Sequence, residues 1–144
     1  MKILLPTLVA TTLALASCAS TPSMSDDQKL ALYRAHAGAP VSGFHYFGRF
    51  DSWTDIGDQA VAIWTRPSEA WLLELSGPCS GLEFTPVIGV TSQTGVVSAH
   101  FDSVLVRNNG MHDFPCTIQT IRPLDTKAIK QAERTARDQA SGGT

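Results

Sequence analysis

Gln59-Ala60-Val61-Ala62-Ile63-Trp64-Thr65-Arg66-Pro67-Ser68-Glu69-Ala70-Trp71-Leu72-Leu73-Glu74-Leu75-Ser76-Gly77-Pro78 is the stretch that decides the fold. It holds two apolar runs of strand length, Gln59 to Thr65 and Ala70 to Leu75. Arg66-Pro67-Ser68 separates them and Ser76-Gly77-Pro78 ends the second. Val61 and Ile63 share one face of the first run, and Trp64 lies on the other. Trp71, Leu73 and Leu75 share a face of the second. Alternation with period two, bounded by Pro, Gly and Ser, is the pattern of paired antiparallel strands. It predicts Trp71 in the core and Trp64 facing outward.

The same texture continues on both sides, from Val41 to Leu124. Phe44 to Phe50, Val87 to Thr91, Val96 to Val106 and Cys116 to Ile121 read as further strands. Ser92-Gln93-Thr94-Gly95 and Asn108-Asn109-Gly110 read as turns, and Pro123 ends the last run. The expected fold is mainly β, a small antiparallel barrel or sandwich of about six strands. A closed or nearly closed barrel is favoured, because closure removes exposed edges.

Helices flank the strands. Ser25-Asp26-Asp27-Gln28 is a capping box, with Ser25 as N-cap and Gln28 three residues on. Leu30, Tyr33 and Ala37 share a face, with Leu32 near it, and Gly38 and Pro40 stop the helix. Asp125 caps a C-terminal helix over Thr126 to Asp138. Its apolar stripe is only Ala128, Ile129, Ala132 and Ala136, which predicts a surface helix.

The N-terminus carries an address. Lys2 gives one positive charge, and Ile3 to Ala16 is almost free of polar side chains. That run is shorter than the roughly 20 residues of a spanning helix. A charged start, an apolar run and small residues before a cut describe a secretory signal. Leu15-Ala16-Ser17-Cys18 resembles the lipobox of bacterial lipoproteins, in which the cysteine thiol takes a diacylglyceryl group. An ordinary signal peptide with a chance cysteine is the alternative. The resemblance implies cleavage before Cys18, acyl chains on that residue and stable membrane attachment, each buried CH2 contributing about 0.8 kcal/mol. Ala19 stands where an aspartate often retains lipoproteins at the inner membrane, so the outer membrane of a Gram-negative cell is expected, with the domain facing the periplasm. The expected organisation is a signal peptide over 1–17, a lipidated tether over 18–24, one globular domain over 25–140 and a disordered tail over 141–144.

Composition excludes some partners. The 144 residues hold 11 Lys+Arg and 13 Asp+Glu, net −2. The leader contributes Lys2 and no acid, so the chain from Cys18 carries net −3. Nucleic acid would require a basic face, and an anionic membrane surface a polybasic patch. With Cys18 assigned to lipid, Cys79 and Cys116 remain as an even pair in an oxidising compartment, and a disulfide is the natural inference. Two buried thiols or a redox pair are the alternatives, although neither cysteine has the C-x-x-C setting of a redox site.

No catalytic motif is present. Ser76-Gly77-Pro78-Cys79-Ser80-Gly81 lacks the nucleophile elbow and its strand-to-helix context. Asp51, Asp55 and Asp58 cluster in an expected loop without the spacing of a calcium site. His100, Asp102 and His112 are weak metal candidates for zinc or copper, with His100 and Asp102 on one expected strand face. His36 and His45 complete the histidines. The aromatic set is more suggestive: Trp53, Trp64 and Trp71 with Phe44, Tyr46, Phe47 and Phe50. Exposed aromatics mark binding faces, whereas buried ones cover a core.

Trp53, Asp58-Gln59, Trp71-Leu72-Leu73, Cys79-Ser80-Gly81-Leu82, Phe101-Asp102-Ser103-Val104 and Cys116-Thr117-Ile118 together resemble a family of small proteobacterial lipoproteins known only as a domain of unknown function. The likeness covers Val41 to Leu124 and the lipobox. Its most specific part is the Cys79-x-x-Leu82 segment followed by a second cysteine near the last strand. Trp71 departs from the family pattern, in which a tyrosine is more usual. The resemblance implies an envelope lipoprotein with two paired cysteines and no stated activity.

The functional expectation is a non-enzymatic, cofactor-free envelope lipoprotein. It would bind a protein or a cell-wall component through Trp53, Trp64 and the loop around Asp102. One alternative is an inhibitor of a cell-wall hydrolase such as lysozyme, inserting the loop Asn108 to Phe114. The other is a metal-binding periplasmic protein using His100, Asp102 and His112.

Overall fold

Ser25 caps α1 (Asp26–Ala35) in the computed structural model, which describes residues 23–107 and 113–142. Its hydroxyl accepts the Gln28 amide at 3.3 Å, and the Gln28 side chain accepts the Ser25 amide at 3.0 Å. Both halves of the capping box are therefore made. The helix ends at Ala35, before Gly38, because Ala37 already bridges to Leu124 at the far end of the domain.

Eight strands follow: β1 (Gly43–His45), β2 (Ser52–Asp55), β3 (Ala60–Arg66), β4 (Glu69–Leu75), β5 (Ile88–Val90), β6 (Val96–Ser98), β7 (Ser103–Val106) and β8 (Phe114–Leu124). α2 (Thr126–Ser141) closes the described chain. Six strands form one antiparallel sheet in the order β2-β3-β4-β8-β7-β5, curled into a half-barrel. β1 and β6 form a separate two-stranded sheet. The mainly β architecture, its six-stranded sheet and its two flanking helices are as expected; the curl stops short of closure, leaving β2 and β5 as edges.

β8 is the spine of the curl. Its first residues pair with β7 and its later ones with β4. Leu75 faces Ile118 and Glu74 faces Thr120, so Gln119 is an extra residue in the ladder. Such a bulge bends a strand, and here it lets one strand serve both arms of the half-barrel.

The alternation in β3 sorts two cores. Val61 and Ile63 face the concave interior with Leu73, Val104, Ile118 and Ile121. Ala60, Ala62 and Trp64 face the other side, where Tyr33 of α1 and Ile129 of α2 pack on them with Ala70 and Leu72. Three alanines on that face leave room for close helix approach. This is why a stripe as narrow as that of α2 suffices, with Ile129 fully buried. α2 is thus seated on the sheet, and it runs through Ser141, which the sequence placed in the tail.

The strands depart from expectation in three places. The run Phe44 to Phe50 is strand only as far as His45, beyond which the chain turns at Gly48 with φ +80°. β2 includes Asp55, which the sequence groups with Asp51 and Asp58 in an expected loop. The run Val96 to Val106 is two strands, β6 and β7, which belong to different sheets and are separated by a turn at 99–101.

Cys79 and Cys116 form a disulfide, with Cα atoms 5.8 Å apart. It joins the loop after β4 to the beginning of β8 inside the concave core. In the chain-entropy model a closed loop of this length stabilises the fold by about 4 kcal/mol.

Candidate functional site

The turn between β6 and β7 is held by a buried carboxylate. Asp102 is 2% exposed. One of its oxygens accepts the Ser98 amide at 2.8 Å, and the other accepts the Thr91 hydroxyl at 2.8 Å. Thr91 in turn accepts the Ser103 amide at 2.8 Å. The His100 amide donates to the Ile118 carbonyl at 2.7 Å, and the Ile118 amide to the Asp102 carbonyl at 2.9 Å. His100 has φ +70°, a left-handed conformation that costs a residue other than glycine about 1 kcal/mol or more. The surrounding bonds fix that conformation, and the result is a rigid turn that projects two side chains. His100 is exposed, and Phe101 is 81% exposed.

These side chains border a cleft of about 680 Å³. One wall is the segment Pro40 to His45, the other is Gln119 to Arg122 of β8, and Ser98 to Phe101 close one end. Phe44 forms part of the lining and stacks on Trp71, with ring centroids 5.0 Å apart and planes 12° from parallel. The Trp71 indole N–H is buried and has no hydrogen-bond partner among the described residues. The stack therefore gives the cleft a stiff apolar backing.

Charge around the cleft is one-sided. Among the described residues its lining includes no Asp or Glu. His45, His100 and Arg122 are the basic side chains among the described lining residues. Arg122 lies 3.4 Å from Glu74 and donates to the Gly38 carbonyl at 3.3 Å. Glu74 is shared with Arg34 of α1, so this triad keeps a net positive charge.

The expected face is only partly assembled. Trp64 is 8% exposed and lies beneath α2, with the Lys130 ammonium 5.1 Å from its ring centroid. It does not point outward, because both faces of β3 are covered. Trp53 is half-buried against the concave core. The two indoles thus sit in different layers, and neither lines the cleft. Of the expected face, the loop around Asp102 reaches the site, through its neighbours His100 and Phe101. Trp71 is half-buried against the concave core, on the side expected.

The metal candidates do not share a strand face. His100 stands in the turn, both carboxylate oxygens of Asp102 already accept hydrogen bonds, and His112 lies outside the described residues. Cys18 and Asn108 to Gly110 also lie outside them. Between β4 and β5, slight desolvation and the nearby Asp26, Asp58 and Asp55 carboxylates raise the Glu83 carboxyl above its ordinary range. Among the described residues, no three His, Cys, Asp or Glu side chains are grouped to hold a metal ion.

Sequence reasoning passed over His45, Gln119 and Arg122, which come together only through the β1 and β8 geometry. The available signal was Asp102 itself, a charged residue inside an apolar run.

No curated protein and no solved structure matches the chain significantly. Residues 1–140 match the model of a family described as "Family of unknown function (DUF6491)", and the chain belongs to that family.

Proposed function

We propose that this protein is a non-enzymatic binding module of the cell envelope, tethered by lipid on Cys18 and facing the periplasm from the outer membrane. The observation that carries the binding role is Phe101. A large apolar side chain is held 81% exposed on a turn made rigid by a buried carboxylate, beside a cleft. Exposing such a ring costs solvation free energy, and the hydrogen-bonded turn fixes the backbone that carries it, which lowers the entropy cost of ordering on binding. Aromatic anchors of this kind dominate protein interfaces.

The tether rests on the lipobox resemblance. Ser25, the N-cap of α1, stands seven residues past Cys18, a span that cannot exceed about 25 Å. Among the described residues no helix is long and apolar enough to cross a membrane.

Crosslinking in intact envelopes tests the binding role. A discrete adduct that Phe101→Ala abolishes, with folding and lipidation unchanged, supports it; an adduct pattern indifferent to Phe101→Ala contradicts it. The tether has its own test. Cys18→Ala moves the protein from the detergent phase to the aqueous phase, and a wild-type chain found only in the aqueous phase removes the lipid reading.

A further inference from the structure

β1 pairs with β6 alone, and the hydrogen bonds on either side of it fix which way its backbone points. The Ala99 amide donates to the Ser42 carbonyl, and the Tyr46 amide to the Gly95 carbonyl. In an antiparallel pair, residues alternate between bonding their partner and facing away from it. Ser42, Phe44 and Tyr46 therefore turn toward β6. Val41, Gly43 and His45 turn the other way, and the Val41 amide accordingly donates to the Ile121 carbonyl of β8 at 2.9 Å. That bridge is isolated. Beyond it β1 leaves β8, and the backbone groups of Gly43 and His45 face the gap that is the cleft.

Gly43 sets how closely β1 lies on β6. A Cβ at that position would lie 2.4 Å from the Val97 carbonyl oxygen, so only glycine permits the approach of β1 to β6. The exposed edge is short, and His45, Val41 and Phe101 flank it without a carboxylate among the lining residues.

We infer that the cleft receives an extended, acidic peptide segment of an envelope protein, added as a strand to the outer edge of β1. This rests on the binding role proposed above and names the partner for the same site. Strand addition takes its affinity from main-chain hydrogen bonds and its selectivity from alternate side chains. Here Gly43 and His45 supply the main-chain groups. His45, His100 and Arg122 favour carboxylates in a chain that is otherwise net acidic. Phe101 and Val41 offer apolar contacts for alternate residues of the incoming strand.

The test places a photo-crosslinking amino acid at Gln119, across the cleft from β1, in the full lipidated protein in its native envelope. The crosslinked segment is then mapped by mass spectrometry. The expected segment carries more Asp and Glu than Lys and Arg. His45→Pro removes the outward-facing amide together with the imidazole and lowers adduct yield at least tenfold, whereas His45→Ala, which loses the imidazole alone, stays within threefold. His45→Glu leaves the backbone intact and also lowers yield about tenfold, through like-charge repulsion worth about 1.4 kcal/mol. Thermal unfolding of each variant verifies the fold. Adducts that depend on Phe101 but survive both His45→Pro and His45→Glu overturn strand addition and leave the binding role standing. A basic mapped segment, or no adduct from Gln119, overturns it as well. Adducts indifferent to Phe101 remove the binding role itself.

Discussion

The Asp102 carboxylate accepts the Ser98 backbone amide at 2.8 Å, closing the turn that carries His100 and Phe101. The residue that shapes the site is therefore buried beneath it, and the residues offered to a partner are its neighbours. Asp102→Ala leaves the Ser98 amide and the Thr91 hydroxyl without their acceptor. Two partly buried donors at roughly 1–3 kcal/mol each give an expected loss of about 3 kcal/mol. Asp102→Asn retains one acceptor oxygen and is milder. Urea unfolding of the two variants measures the difference.

Trp64 is a core residue under α2, so Trp64→Ala is expected to cost about 3–5 kcal/mol. Lys130→Ala removes the cation over the ring and its exposed hydrogen bond to the Pro67 carbonyl, together about 1 kcal/mol. Trp64 is consequently the wrong position at which to test binding, since its removal damages the fold. Denaturant unfolding of both variants checks the ranking; equal and small losses would place Trp64 outside the core.

The disulfide closes a loop of sequence separation 37. Cys79→Ala with Cys116→Ala is expected to lose about 4 kcal/mol, chiefly by freeing the unfolded chain. Cys79 is fully buried, so in the native protein the bond resists exchange with an added thiol until the domain opens. Mass spectrometry after a thiol pulse, with and without urea, tests this.

Tyr33 joins the two helices, its hydroxyl donating to Glu133 at 2.6 Å. Burial, and then the Glu133 carboxylate, push the Tyr33 hydroxyl well above its ordinary pKa. The folded state thus holds this proton more tightly than the unfolded state. The stability it contributes is complete below about pH 10 and declines as pH rises beyond that value. Tyr33→Phe flattens part of the alkaline slope. Part remains, because burial also raises Tyr46. A slope unchanged by Tyr33→Phe would contradict the assignment.

Much of the fold was legible in the residues. Val61 and Ile63 alternate against Trp71, Leu73 and Leu75, and those faces form the concave core. Ser25 and Gln28 announced their capping box, and Cys79 and Cys116 their pairing. The sense of Trp64 was not legible, because alternation shows that a residue faces away from one core and is silent about a second. The break between β6 and β7 was hidden for a different reason. Ser98 to Asp102 includes neither Gly nor Pro, and the turn is made by a left-handed histidine and a carboxylate that caps backbone. The cleft depends on β1 leaving β8 after Val41, a pairing some eighty residues apart in sequence that local pattern does not encode.

The most direct measurement compares photo-crosslinking from position 101 with crosslinking from position 84, in the full lipidated protein in its native envelope. Phe84 is as exposed as Phe101 but lies outside the cleft. A discrete partner band at 101, absent at 84 and weakened on Asp102→Asn, is the predicted result. Equal, diffuse labelling from both positions would mean that Phe101 is an ordinary exposed side chain and the cleft is not a binding site.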